Sequence, residues 1–427
     1  MKLRKIIPVT AIALLASGCG IVDSSLLPTS QGIPATVVMG QQSQTQAPYA
    51  PPSFSAQVCP IPPGSADIPN LNEPHTWAAD ILAYLNAGGF VSSLLDHIEA
   101  SNSIEPSSTV GEILDLNSDG FEDLALVLIQ TPSELRPMPS GSLLIFLCAE
   151  EAFRAVYITS PASEAGRPAL QAARDFTGDG GPELLILWES CGAHTCFTQA
   201  EILKWDGSGF ENLWQGRSDD LPSAEIELQG PFADSSTAIS ITAKGIGSVG
   251  AGPYREIRRT WTWHGESGRF EVSEETLADP KYRIHVLHDA DQAFLDGDYE
   301  TAVNGYLRVM EDETLDDWLS AEDGRAALGA YAAFRRVVVD VDSGQITNAE
   351  AGVLFLQAAY PPSSPNHAFV DLVESFWEAY QISGDPGEAC LAAQSYAINN
   401  PEAILEPLYY GYANRTYLAA DICPLDS

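Results

Sequence analysis

Residues 115–128 read DLNSDGFEDLALVL, and residues 175–188 read DFTGDGGPELLILW. In each, an acidic turn containing glycine runs straight into an apolar segment. The apolar part is short and bounded by turn residues, which predicts a buried strand. The acidic part is then the turn that launches the strand, because charge beside a core needs solvent or a counter-ion. The two stretches begin 60 residues apart. A second echo lies behind them. KWDGSGFENLW (204–214) and TWHGESGRFEVSE (262–274) are each a strand, a glycine turn and an aromatic strand, with Trp205 and Trp263 separated by 58 residues. A period near 60 residues predicts one sheet unit repeated. Two units are well formed, and a third has lost its acidic loop.

Counted from its first aspartate, the first loop has oxygen side chains at positions 1, 3, 5 and 9: Asp115, Asn117, Asp119 and Asp123. Gly120 permits the turn, and Phe121 at position seven offers its carbonyl. The second loop matches with Asp175, Thr177, Asp179 and Glu183, with Gly180 at the turn and Gly181 at position seven. Hard oxygen donors at this spacing suit Ca²⁺ rather than zinc or copper. Position 12 of the first loop is Leu126, where an EF-hand needs glutamate, so this is not an EF-hand. The alternative is a metal-free Asp/Asn/Gly turn capping a strand.

The loop-then-strand pattern resembles the calcium loops of FG-GAP and VCBS-type repeats. Asp115, Asn117, Asp119, Gly120, Asp123 and Leu124 carry the resemblance, as do Asp175, Thr177, Asp179, Gly180 and Glu183. It implies an antiparallel, partly propeller-like β-module over residues 105–277 with calcium in its loops.

The N-terminus has Lys2, Arg4 and Lys5 before a short apolar run, Ile6 to Ala16, the layout of a secretory signal. LASGC at 15–19 resembles the lipobox of bacterial lipoproteins, although Ala16 stands where that family prefers leucine. The resemblance implies cleavage after residue 18 and lipid on Cys19, hence a chain anchored to the cell membrane or outer membrane on its extracytoplasmic side. Residues 19–72, rich in Ser, Pro, Gln and Gly, predict a disordered tether. Residues 73–104 predict two short helices split by Gly88-Gly89.

There are 58 acidic against 21 basic residues, a net charge of −37, which repels phosphate backbones and argues against nucleic acid. Six cysteines besides Cys19 predict disulfides outside the cell. Proximity pairs Cys191 with Cys196 and Cys390 with Cys423, which leaves Cys59 with Cys148. Cys191, His194 and Cys196 offer three zinc ligands, but no fourth is placed by sequence, and oxidation favours the disulfide.

Residues 278–427 predict helices. ADQAFLDGDYETAVNGYLRVM (290–310) and ESFWEAYQISGDPGEACLAAQSYAINNPEA (374–403) resemble degenerate tetratricopeptide repeats. Gly297-Asp298-Tyr299, Ala302 and Tyr306 carry the first copy; Gly384-Asp385, Ala389, Ala393, Tyr396 and Pro401 carry the second. The resemblance implies a groove for a protein or peptide partner. GIGSVG (245–250) precedes a strand rather than a helix, so it lacks the context of a dinucleotide loop. His285 and His288 have no HExxH around them. The expectation is therefore an α+β multidomain binding or scaffold protein without catalytic residues. The alternative is an extracellular hydrolase whose site carries no recognisable motif.

Overall fold

The computed structural model describes residues 56–62, 64–105, 110–132, 140–159, 166–232, 236–319 and 321–425. The chain divides after Pro51, and every described residue belongs to the part that begins at Pro52. Cys19, the expected lipid site, lies outside the described residues.

Two helices, α1 (Trp77–Asn86) and α2 (Val91–Glu99), precede three four-stranded antiparallel sheets. The first holds β1 (Val110–Leu114), β2 (Asp123–Gln130), β3 (Ser140–Ala149) and β4 (Ala152–Ile158). The second holds β5 (Arg167–Arg174), β6 (Glu183–Cys191), β7 (Cys196–Trp205) and β8 (Phe210–Asn212). The third holds β9 (Ala224–Gln229), β10 (Ala238–Ala243), β11 (Ile257–His264) and β12 (Arg269–Leu277). In each sheet the strands lie side by side in chain order. The sheets open at Val110, Arg167 and Ala224, 57 residues apart, so the sequence period is one sheet.

Strands with so few polar residues are explained by burial on both faces. In β2, Leu124, Leu126 and Leu128 pack with Trp77, Ile81, Leu94 and Ile98 of the helices. The alternate residues, Ala125, Val127 and Ile129, meet Leu184, Ile186 and Trp188 of the second sheet. Leu185 and Leu187 then face Ile239, Ile241 and Trp261 of the third. The result is a stack of helix pair, sheet, sheet and sheet, in which each fully buried Leu or Ile contributes about 1.5–3 kcal/mol. The helix pair covers the outer face of the first sheet, and the sheets do not close into a propeller.

Six longer helices follow: α3 (Arg283–Leu295), α4 (Tyr299–Glu311), α5 (Ala321–Asp342), α6 (Ile346–Ala359), α7 (Ala368–Ser383) and α8 (Pro386–Asn399). Each packs on the next. The Gly-Asp pairs work as stop and start. Gly384 takes φ +70° and ends α7, and the Asp385 carboxylate caps α8 by accepting from the Gly387 and Glu388 N–H groups. Asp298 caps α4 in the same way, accepting from the Thr301 N–H. Ala302, Tyr306, Ala389 and Ala393 are fully buried. The α5–α6 pair lies between the two repeat-like stretches, and its turn carries Gln345 where theirs carry Asp.

The GIGSVG segment belongs to the β10–β11 connection, whose following residues join the two modules. Tyr412 and Ala413 donate their N–H groups to the Gly250 and Ala251 carbonyls at 3.2 and 3.0 Å. A Cβ on Gly252 would lie 1.5 Å from the Tyr410 carbonyl oxygen, so only glycine fits there. Arg255 pairs with Asp289, and His285 Nε2 lies 3.2 Å from the Pro253 carbonyl.

His288 sits beside this junction, between His285 and Tyr417, and its Nε2 has no partner among the described residues. Burial, reinforced by His285 and Arg415, pushes its pKa down to about 4. Asp289 opposes that shift and Arg255 adds to it. The unfolded chain therefore takes up this proton first on acidification. Stability is full above about pH 6.5 and is lost as the pH falls towards 4, by up to about 3 kcal/mol. His288→Gln is expected to flatten that part of the pH–stability curve, measured by urea denaturation between pH 7 and 4.5. An unchanged curve would mean that other groups carry the acid sensitivity.

Candidate functional site

The two acidic loops are built on one backbone plan. The fourth residue has positive φ in both, Ser118 at +62° and Gly178 at +83°, and so does the sixth, Gly120 at +91° and Gly180 at +92°. The first aspartate ties the turn together. Asp115 accepts from the Asp119 and Gly120 N–H groups, and Asp175 from those of Gly178 and Gly180. In the first loop Asn117 Oδ1 accepts from the Asp119 N–H, and Asp119 Oδ1 accepts from the Phe121 N–H.

The ninth residue turns inward. Asp123 is 1% exposed and accepts from the Leu116 N–H at 2.8 Å and the Cys148 N–H at 2.7 Å. Glu183, fully buried, accepts from the Phe176 N–H at 2.7 Å and from the Thr177 hydroxyl at 3.1 Å. Both acids thus bolt position two of their loop to the strand that follows. Burial pushes the Asp123 carboxyl up to about 7 against these two N–H donors, and Asp119 and Asp115 add to the rise.

Counter-charge separates the loops. In the second, Lys204 of β7 donates to Glu183 Oε1 at 2.8 Å, lies 3.4 Å from Thr177 Oγ1 and pairs with Asp179. Burial alone would lower the Lys204 pKa, but the two carboxylates hold it above its usual value. Asp179 is held down by Lys204 in spite of burial, whereas burial wins at Glu183 and raises it. The carboxylates of Asp175, Asp179 and Glu183 lie within 4.8 Å of one another, close enough to hold a metal ion. In the first loop, no lysine or arginine among the described residues pairs with Asp115, Asp119 or Asp123.

The loops share one edge of the stack. Leu116, Asn117 and Ser118 face Asp179, Gly181 and Pro182 across a 240 Å³ pocket that Lys204 and Trp205 complete. The first loop also receives the incoming chain. Gln57 donates its N–H to the Gly120 carbonyl and accepts from the Glu122 N–H, each at 2.8 Å, beside the Cys59–Cys148 disulfide. The second loop has Pro182 in place of Glu122, with no N–H to give, so it cannot take up a strand this way.

No family model matches the chain, and no curated protein or solved structure matches it. Its functional reading therefore rests on its own chemistry. Cys191–Cys196 and Cys390–Cys423 are disulfides, so the Cys191 and Cys196 thiols are unavailable to zinc. No described helix is long and apolar enough to cross a membrane.

A second recess of 640 Å³ opens in the helical module between α4, α5 and α6. Met310, Leu315, Phe355 and Tyr360 give it apolar walls, and Glu313 and Arg325 pair across its rim at 3.5 Å. Its floor is an ion pair between Arg283 and Asp317, 2% and 6% exposed, which fixes the α4–α5 connection to the start of α3. Tyr410 and Tyr417 are core residues; Tyr409 and Tyr412 are exposed.

Sequence spacing identified the loop carboxylates but not Lys204. Its role depends on cross-strand register, which places it beside Glu183 across 21 residues of chain.

Proposed function

We propose that the chain is a lipid-anchored, extracytoplasmic binding protein. In this reading, calcium stiffens a β-module of FG-GAP/VCBS-like, partly propeller-like repeats, which carries a tetratricopeptide-like helical module that receives a protein or peptide partner. The signal layout ending in Cys19 supports the anchor. Calcium is supported at the first loop by its oxygen donors, Asp115, Asn117, Asp119 and the Phe121 carbonyl, around carboxylates with no basic partner among the described residues. Bound there, the ion would supply the positive charge that the loop lacks. Asp123 would hold the loop to β2 from behind.

The observation that carries the binding reading is the 640 Å³ recess, which mixes apolar walls with a charged rim on a rigid helical frame. That lining suits a short amphipathic segment of another protein. Phe355 is the wall residue most open to solvent, 47% exposed. A photoreactive residue at position 355 of the full chain is expected to yield one discrete adduct in the native cell. Leu315→Arg, which puts charge into the wall, should suppress that adduct. No adduct, or one indifferent to Leu315→Arg, would count against the recess as the binding site.

A further inference from the structure

The two loops occupy equivalent places in successive sheets, so their surroundings can be compared residue by residue. In the second sheet Leu184 pairs with Leu203, which sets Glu183 opposite Lys204 one step further along. In the first sheet Leu124 pairs with Phe146, which sets Asp123 opposite Leu147. Asp123 and Glu183 are the ninth residues of their loops. Lys204 therefore stands where the sister repeat has leucine.

The ammonium is well placed to serve its loop. Lys204 Nζ contacts Asp179, Glu183 and Thr177 together, and its side chain is only 27% exposed. Thr177 and Asp179 stand at positions three and five, which supply oxygen donors in the first loop, and Glu183 at position nine, the inward-turned acid of both loops. An ammonium fixed by the sheet needs no binding from solution. A divalent ion entering the same cluster would have to expel it from its hydrogen bonds to carboxylates, one of them fully buried. Both cations could not stay, because like charges within a few ångströms repel strongly away from bulk water.

We propose that Lys204 is the built-in cation of the second loop, so that the chain takes up one calcium ion, at the first loop, rather than two. The single-ion count rests on the calcium reading of the first loop; the role of Lys204 does not. The test is the number of Ca²⁺ ions held by the chelator-stripped full chain, counted by equilibrium dialysis. One ion per chain is expected, absent in Asp119→Ala and retained in Asp179→Ala. Lys204→Leu, which restores the residue of the sister repeat, is expected to hold two; Lys204→Gln serves if that variant does not fold. Two ions on the unaltered chain, or no gain on removing the lysine, would overturn the proposal. No ion on the unaltered chain but one on the Lys204 variant would leave the lysine's role standing and dismiss calcium from the first loop. The count on the unaltered protein decides between one and two even without a folded variant.

Discussion

Arg335→Met is expected to lower the stability of the helical module by about 3–5 kcal/mol. Arg335 is 1% exposed and lies 3.1 Å from Asp291, itself 1% exposed. It also donates to the Tyr306 hydroxyl at 3.1 Å and the Ile422 carbonyl at 3.0 Å, and stacks over the Phe294 ring. Asp291 accepts from the Tyr306 and Tyr417 hydroxyls at 2.6 and 2.7 Å. Burial, with Asp291 adding to it, holds both phenols well above their usual pKa, so they remain donors. Methionine would replace the packing but leave a buried carboxylate without its counter-charge. The network joins α3, α4, α5 and the C-terminal segment, and α4 and α5 wall the recess. Adding Asp291→Leu should recover part of the loss, because an apolar replacement of both partners avoids the stranded charge. Urea denaturation followed by the helical circular-dichroism signal measures both. A loss below about 1 kcal/mol in the single variant would show that Arg335 is not the keystone of this region.

Opening the Cys59–Cys148 bridge should cost about as much, for a different reason. The bridge closes a loop across 89 residues, and its removal frees the unfolded chain by about 4–5 kcal/mol of loop entropy. The folded state is affected too, because the Cys148 N–H is one of the two donors to Asp123 and Gln57 pairs with the first loop. A Cys59→Ser, Cys148→Ser double variant is expected to melt well below the unaltered chain and to bind calcium more weakly. If its melting temperature is unchanged, the N-terminal segment is not structurally tied to the first sheet. The bridge also has a mechanical meaning under the proposed function. A pull on the tether would enter the body beside the loop that calcium is proposed to stiffen.

The sequence made some of this legible and hid the rest for physical reasons. The repeat was visible because loop chemistry is local: Asp115 to Asp123 and Asp175 to Glu183 carry their pattern in nine residues each. The stacking of sheets was harder to read. Residues 124–129 are apolar at every position because one set faces helices and the other a second sheet, and no strict alternation marks that. The inward turn of Asp123 and Glu183 was not visible, since ligand and structural staple need the same side chain. Lys204 lay beyond reach because only the β6–β7 register brings it to Glu183. The Asp291–Arg335–Tyr417 network spans 126 residues between Asp291 and Tyr417, and nothing local announces it.

These features support a single functional picture. The stacked sheets form the base; the second loop is paired with its own lysine, and the first is the one proposed to take calcium. The helical module is clamped to that base through Gly252 and Gly411 and carries the recess proposed to receive a partner. The most direct test is the melting temperature of the full chain in chelator and in about 10 mM calcium, a concentration above the dissociation constants usual for extracellular sites. Calcium is expected to raise it by about 5 °C, and the rise should vanish in Asp119→Ala. Equal melting temperatures in chelator and calcium, or a rise that survives Asp119→Ala, would contradict the account.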